Sequence, residues 1–398
     1  MGLKNSKYNP QTWCGGRAEI QNPKLPTRDR PGSAKLPKMV SLDHMRNDAI
    51  AAFEAAVAAV QPQNLIPAQV EMNEGVVHVG GEPLPAAPGR RVVFSIGKAA
   101  PGLVDAWLRS VPDWATEYFI LTPHGVPVAD GVESVATILR GAHPYPDAEG
   151  EESTMRLLET AESLGDEDVL IVFVSGGGSA LMAATEKGLT LADVRSTTEV
   201  LLKAGAPITE VNTVRRQLLA AVGGGLGRVA HPAQVRTLIL SDVLGDPLPD
   251  IASGPTVYST STPADALAVL DRFSIRGAVP EAVVRFLEAA GELPQDDGGW
   301  AKGCSTRVIG NNRTAVEAAA TELRKRGYEV EVVPGDLVGE ASVRGRELAM
   351  TARITEYPTA TAVVFGGETT VTVGGPGRGG RNQELALAAA VELEGAGN

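Results

Sequence analysis

Cysteine is nearly missing from this chain. Only Cys14 and Cys304 occur, too few and too far apart for a disulfide framework or a thiolate zinc site, which suits a reducing cytoplasm. Aromatic residues are scarce too, at 4% of 398 residues, whereas glycine and alanine abound. That balance argues against an all-β or fibrous protein and for a loop-rich α/β enzyme. No apolar run reaches membrane-spanning length, and the N-terminus lacks the apolar core of a secretory signal. Positive charge is in deficit: the net charge is −12, so nucleic acid and anionic membranes are poor partners. An anionic substrate therefore needs a local basic pocket. The length suggests two domains.

Residues 1–44 stand apart. They hold eight Lys/Arg and three Asp/Glu, a net +5, are rich in Pro, Asn and Gly, and show no apolar period, so disorder is expected. The plainest reading starts the natural protein at Met45, with a basic targeting leader as the alternative. From Met45, Ile50, Phe53, Val57 and Val60 form one helical face ended by Pro62. Arg91–Ile96, Tyr118–Leu121, Val169–Val174 and Thr237–Leu240 read as short apolar strands alternating with helices. This pattern predicts an open, doubly wound sheet whose ligands collect at the carboxyl ends of its strands. The polar, turn-rich stretch from Leu293 to Cys304 marks a boundary. Beyond it, Arg307–Gly310, a helix capped by Asn312 with Val316, Ala320 and Leu323 on its apolar stripe, and Val330–Val333 form a second, smaller β-α-β unit. The expected domains are thus 45–295 and 304–398.

Three glycine-rich turns carry the chemistry. Ser175-Gly176-Gly177-Gly178-Ser179 follows a buried strand and opens a helix. Glycines there let the backbone approach a phosphate, with Ser179 free to cap or to bind an oxygen. Lys98, just past the strand end at Ile96 and Gly97, can reach into the ligand crevice or lie on the surface. Gly366 to Glu384 packs seven glycines, Arg378, Arg381, Glu368, Glu384 and the pair Asn382-Gln383 into nineteen residues. Backbone amides, a helix start and guanidinium groups together make an anion site. Asp242 and Asp246, four residues apart after a strand, suit magnesium or the deprotonation of a hydroxyl, and Ser253, Gly254 and Thr256 add small polar donors. Asn212 opens a helix that ends at Gly223–Gly225, and Arg215 on it can hold a carboxylate or face solvent. Gly375–Gly380 formally matches a dinucleotide-binding GxGxxG, but the acid expected about twenty residues on falls at the end of the chain. His143 reads as a turn residue rather than a catalyst.

In this order, the segments Ser-Ile-Gly-Lys98-Ala, Gly141-Ala-His-Pro, Val-Ser-Gly-Gly-Gly-Ser179-Ala-Leu, Glu210-Val-Asn-Thr-Val-Arg215, Leu-Ser-Asp242-Val-Leu-Gly-Asp246, Ile-Ala-Ser-Gly-Pro-Thr256 and Gly-Arg-Gly-Gly-Arg381-Asn-Gln-Glu384 resemble the glycerate 2-kinase family whose second domain is called MOFRL. The resemblance runs from about Met45 to the end. It implies a Rossmann-like N-terminal domain followed by a smaller α/β domain, incomplete here because the family continues for several dozen residues beyond the match to Asn398. It implies ATP-dependent phosphorylation of the 2-hydroxyl of D-glycerate with Mg2+; a cytoplasmic monomer or homodimer is expected. Lys98 and Arg381 would be the essential charged pair. Ser175, Gly176, Gly177, Gly178, Ser179, Gly254 and Thr256 would hold phosphate. Asn212, Arg215, Glu368, Asn382, Gln383 and Glu384 would hold substrate, and Asp242 and Asp246 the metal. Where family members commonly carry Ser and Lys before the glycines at 223–225, this chain has Leu219 and Val222. An NAD(P)-dependent hydroxypyruvate reductase and a non-catalytic remnant are the competing expectations.

Overall fold

The computed structural model describes residues 41–84, 88–291, 298–355, 359–375 and 377–394. Most of the basic stretch 1–44 lies outside the described residues. After two helices, Leu42–Ala59 and Pro62–Gln69, the short strands β1 (Val70–Asn73), β2 (Val76–Val79) and β3 (Glu82–Pro83) form a small antiparallel sheet. The main sheet then uses β4 (Arg91–Ile96), β5 (Glu117–Pro123), β6 (Ala136–Gly141), β7 (Val169–Val174), β8 (Gln234–Leu240) and β9 (Cys304–Gly310), in the spatial order β6-β5-β4-β7-β8-β9. Every neighbouring pair is parallel. The chain starts in the middle at β4, runs outward through β5 and β6, and returns to build β7, β8 and β9 on the other side. β4 and β7 are therefore the topological switch point, where connections leave in opposite directions and open a crevice at the carboxyl ends. Ile96 pairs with Val174, so the two turns that follow start level with each other.

Period-two alternation sorts the strand residues onto two cores. Val92, Phe94 and Ile96 of β4 and Leu170, Val172 and Val174 of β7 face the helices Ala148–Glu162, Leu191–Lys203 and Ile208–Leu218. Val93 of β4, with Val169, Ile171 and Phe173 of β7, faces the helix Ala100–Ser110, where Trp107 meets Phe173 edge-on at 5.5 Å. All six residues of β7 are buried, as a parallel strand covered on both faces requires. Each large side chain buried this way contributes about 2–3 kcal/mol.

The smaller unit is a two-stranded parallel sheet of β10 (Glu329–Glu340) and β11 (Thr361–Thr370) with the helices Asn312–Lys325, Ala341–Ile354 and Arg381–Glu392. Leu42–Ala59 packs against Asn312–Lys325. Its buried Asp48 accepts from Arg326 Nη1 (2.7 Å) and Tyr328 Oη (2.8 Å).

Four expectations are corrected. β9 pairs with β8 rather than founding the second unit, because its buried Ile309 and Gly310 complete the large sheet. The first helix is attached through Asp48 and Ala52, and Phe53, expected on its buried face, is 68% exposed. Asn311, not Asn312, caps the following helix: its side chain accepts from the Thr314 N–H, and Thr314 completes a capping box. Asn212 lies mid-helix, since Ile208–Leu218 begins four residues earlier and stops well before Gly223.

Candidate active site

The turn after β7 is built around two glycines. Gly177 has φ +90°, and a side chain there would press on His143 Cδ2 at 3.0 Å and Lys98 Cε at 3.3 Å. A Cβ on Gly176 would collide with the carboxylate of Asp242. Only glycine fits both demands. These contacts also show what covers the turn: Lys98 from the end of β4, His143 from beyond β6 and Asp242 from beyond β8 converge on the turn that follows β7. All three side chains are exposed to the crevice. The Lys98 N–H donates to the Gly176 carbonyl at 2.9 Å. The buried Ser175 hydroxyl accepts from the Ala99 N–H (3.1 Å) and donates to the Ile96 carbonyl (3.2 Å), tying the two turns together. Ser175 is thus spent on holding the crevice floor.

Electrostatics follow from this packing. Desolvation, then the charge of Lys98, push the His143 imidazole below its ordinary 6.5, while Asp242 pulls it upward. The ring is neutral at pH 7 and can accept a proton. Among the described residues, Asp242 accepts no hydrogen bond and forms no ion pair with a Lys or Arg, and its charge is felt by His143 across the glycines.

The loop after β8 is the most strained part of the site. Asp246, Ala252 and Ser253 all have positive φ (51°, 49° and 59°), each costing about 1–3 kcal/mol. Ala252 packs on Gly178, and the Ser253 and Ser179 hydroxyls meet at 3.0 Å. The Gly223 and Gly224 N–H groups donate to the Ser253 and Gly254 carbonyls at 2.8 and 2.7 Å, so that glycine run supports the strained loop from below. Leu219 and Val222 are buried.

Several expected site residues already have partners within the protein. Thr256 is buried and its hydroxyl meets that of Thr237 at 2.7 Å. Asn212 is buried and its amide donates to Asp250 at 3.3 Å. Arg215 Nη2 donates to the Ser179 carbonyl at 2.6 Å. Asp246 Oδ2 accepts from Asn311 Nδ2 on the rim of a cleft of about 500 Å³ between the large and small units, which Arg313, Asp336 and Gly366 also line. Arg381 sits on the small unit, held by Glu368 and the Thr369 carbonyl. It opens the last helix beside exposed Asn382 and Gln383. Among the described residues, no hydrogen bond or ion pair joins it to Lys98.

His143, read from the sequence as a turn residue, comes up against the glycine turn in the structure. Ala-Thr-Ile-Leu before Gly141 is a strand signal, and His143 stands just past its end, as Lys98 does past β4. The GxGxxG match, by contrast, lies on the small unit after β11, away from the switch point of the large sheet where a dinucleotide fingerprint belongs.

A family described as a domain of unknown function (DUF4147) matches residues 48–288, and the MOFRL family matches residues 361–398. A D-glycerate 2-kinase of Thermotoga maritima is 35% identical over 77% of this chain and 72% of its own. The chain belongs to the glycerate 2-kinase family with a MOFRL domain. A solved glycerate kinase from Thermotoga maritima superposes with a TM-score of 0.74 at 32% identity, covering 89% of this chain and 81% of that one. An Agrobacterium vitis protein that carries the name hydroxypyruvate reductase is 37% identical over 86% of this chain and 75% of its own. The fold of this chain is the α/β arrangement expected. No helix among the described residues is long and apolar enough to cross a membrane.

Proposed function

We propose that this enzyme transfers the γ-phosphoryl group of ATP to the 2-hydroxyl of D-glycerate, giving ADP and 2-phosphoglycerate. The observation that carries the reading is the convergence of Lys98, His143 and Asp242 on the Gly176–Gly178 turn at the switch point of the sheet. Phosphoryl transfer through a loose transition state asks a protein mainly to position reactants and offset charge, and this crevice holds those means. The glycine turn admits phosphate oxygens to the backbone. Lys98 sets a positive charge beside them. The hydroxyl oxygen forms the new bond to phosphorus as the bond to the β,γ-bridging oxygen breaks, and neutral His143 takes the hydroxyl proton. Arg381, Glu368, Asn382, Gln383 and Glu384 of the small unit close over the acid.

The donor set fits magnesium. Mg2+ is commonly held by one or two carboxylates plus phosphate oxygens, and Asp242 offers a carboxylate free of donors. Asp246 keeps Oδ1, since Oδ2 accepts from Asn311. Among the described residues no cluster of three or more protein ligands occurs, so phosphate would supply the remaining ligands. When bound, the ion neutralises phosphate oxygens.

Purified protein with MgATP and D-glycerate is expected to release ADP only when glycerate is present, with the phosphate at carbon 2 by NMR. Absence of glycerate-dependent ADP sinks the reading. Oxidation of NADH by hydroxypyruvate in a parallel assay would put the reductase in its place.

A further inference from the structure

A cavity of about 550 Å³ opens beside the glycine turn, between the helices Leu191–Lys203 and Ile208–Leu218 and the loop after His143. Its walls are apolar. Val194, Val211 and Leu219 are buried at its base, while Tyr145, Leu202 and Ile208 stand at its rim 70%, 53% and 63% exposed. Three large apolar side chains left in water around one concave site mark a binding surface rather than scattered exposure. The cavity is of the size that buries most of a drug-sized ligand, far more than a three-carbon acid can fill.

Three charged side chains line it: Arg195, Glu199, which pairs with Lys203 at 3.4 Å, and Arg215. Arg215 lines the cavity and gives one bond, from Nη2 to the Ser179 carbonyl. Among the described residues no carboxylate pairs with it, and desolvation alone pulls its pKa down. A guanidinium does not shed its proton, so this side chain carries a half-buried charge without a counter-ion, a state that an anion relieves. Its neighbours differ. Arg216 is paired with Asp250, and Arg195 on the rim is spent on the Pro146 carbonyl. Ser179 belongs both to the cavity lining and to the turn beneath Lys98.

We propose that this cavity seats the nucleoside of the phosphoryl donor, with the purine between Tyr145, Leu202 and Ile208 and Arg215 against the phosphates nearer the ribose. The chain of phosphates then runs past Ser179 to the glycine turn and Lys98. Arg215 accordingly serves the nucleotide rather than the substrate carboxylate. The proposal rests on the phosphoryl-transfer reading and adds where the donor's apolar half lies.

Ile208→Asp and Leu202→Asp test it, because both side chains are at the rim and their change leaves the core intact; thermal melting checks this. ATP binding is measured by calorimetry with magnesium and without glycerate, and KM values are measured for both substrates. Each variant is expected to weaken ATP at least tenfold while the KM for D-glycerate stays within twofold. Unchanged ATP affinity in folded variants overturns the proposal. So does a change in oligomeric state with ATP affinity retained, which assigns the apolar rim to a second copy of the chain. If the wild type binds ATP but does not phosphorylate glycerate, and the variants lose that binding, the cavity assignment stands while the substrate reading falls. If the wild type binds no ATP, both fall.

Discussion

The large sheet and the small unit are built from the same kinds of element but bury them differently. In the large sheet, β4 and β7 are covered on both faces, and Phe94, Phe173 and Trp107 have no exposed surface. In the small unit, two parallel strands are packed by helices, the last helix buries no residue, and Leu387 and Val391 on it are open. Ile354 and Val373 are likewise among the most exposed apolar residues of the molecule. The proposed chemistry divides along the same line. Lys98, His143 and Asp242 hang from strand ends fixed by a close-packed core, whereas Arg381 is positioned by one carboxylate and one carbonyl on a thin support.

The largest expected effect tests whether the two cations are partners across that division. Lys98→Met should lower kcat by about 10³, and Arg381→Met should match it if the small unit delivers its charge to the same phosphoryl group. The double variant should then fall far short of the product of the two. A near-normal kcat for Arg381→Met would make the small unit peripheral and break the comparison.

Next comes His143→Asn, expected to lower kcat by about 10², with circular dichroism unchanged. The sign of the pH effect follows from the direction of the shift. Because desolvation and then Lys98 hold the His143 pKa below 6.5, the competent neutral form persists below that pH and is lost only as pH falls through the lowered value. The acid limb of kcat/KM should therefore lie below pH 6.5 in the wild type and vanish in the variant. Removing Lys98 should move the limb upward, and Asp242→Asn should move it downward. A limb that stays put in all three backgrounds would give the proton to another group.

The smallest effect separates the two cores. Phe173→Ala should cost about 4 kcal/mol and Leu323→Ala, at the edge of the small unit's core, about 2 kcal/mol, read from urea melts. Equal costs would show that the small unit is packed as tightly as the sheet.

The amino-acid order alone determined the parts that depend on neighbours in the chain. Val169–Val174 reads as a doubly buried strand from six apolar residues in a row, and the glycine turn after it from Gly176-Gly177-Gly178. Both are local consequences of backbone sterics and burial. Lys98 could be placed past a strand end for the same reason. The order of the six strands, the assignment of β9 to the large sheet, the exposed face of the first helix and the approach of His143 and Asp242 to Gly177 and Gly176 came only with the tertiary structure. Each depends on pairing between segments far apart in sequence: β8 with β9 across the boundary the turn-rich stretch suggested, Asp48 with Arg326, and the ends of β4, β6 and β8 around one turn. A local pattern states how much surface a segment must bury. Which surface covers it, and which side chains that covering brings together, is decided by the whole fold.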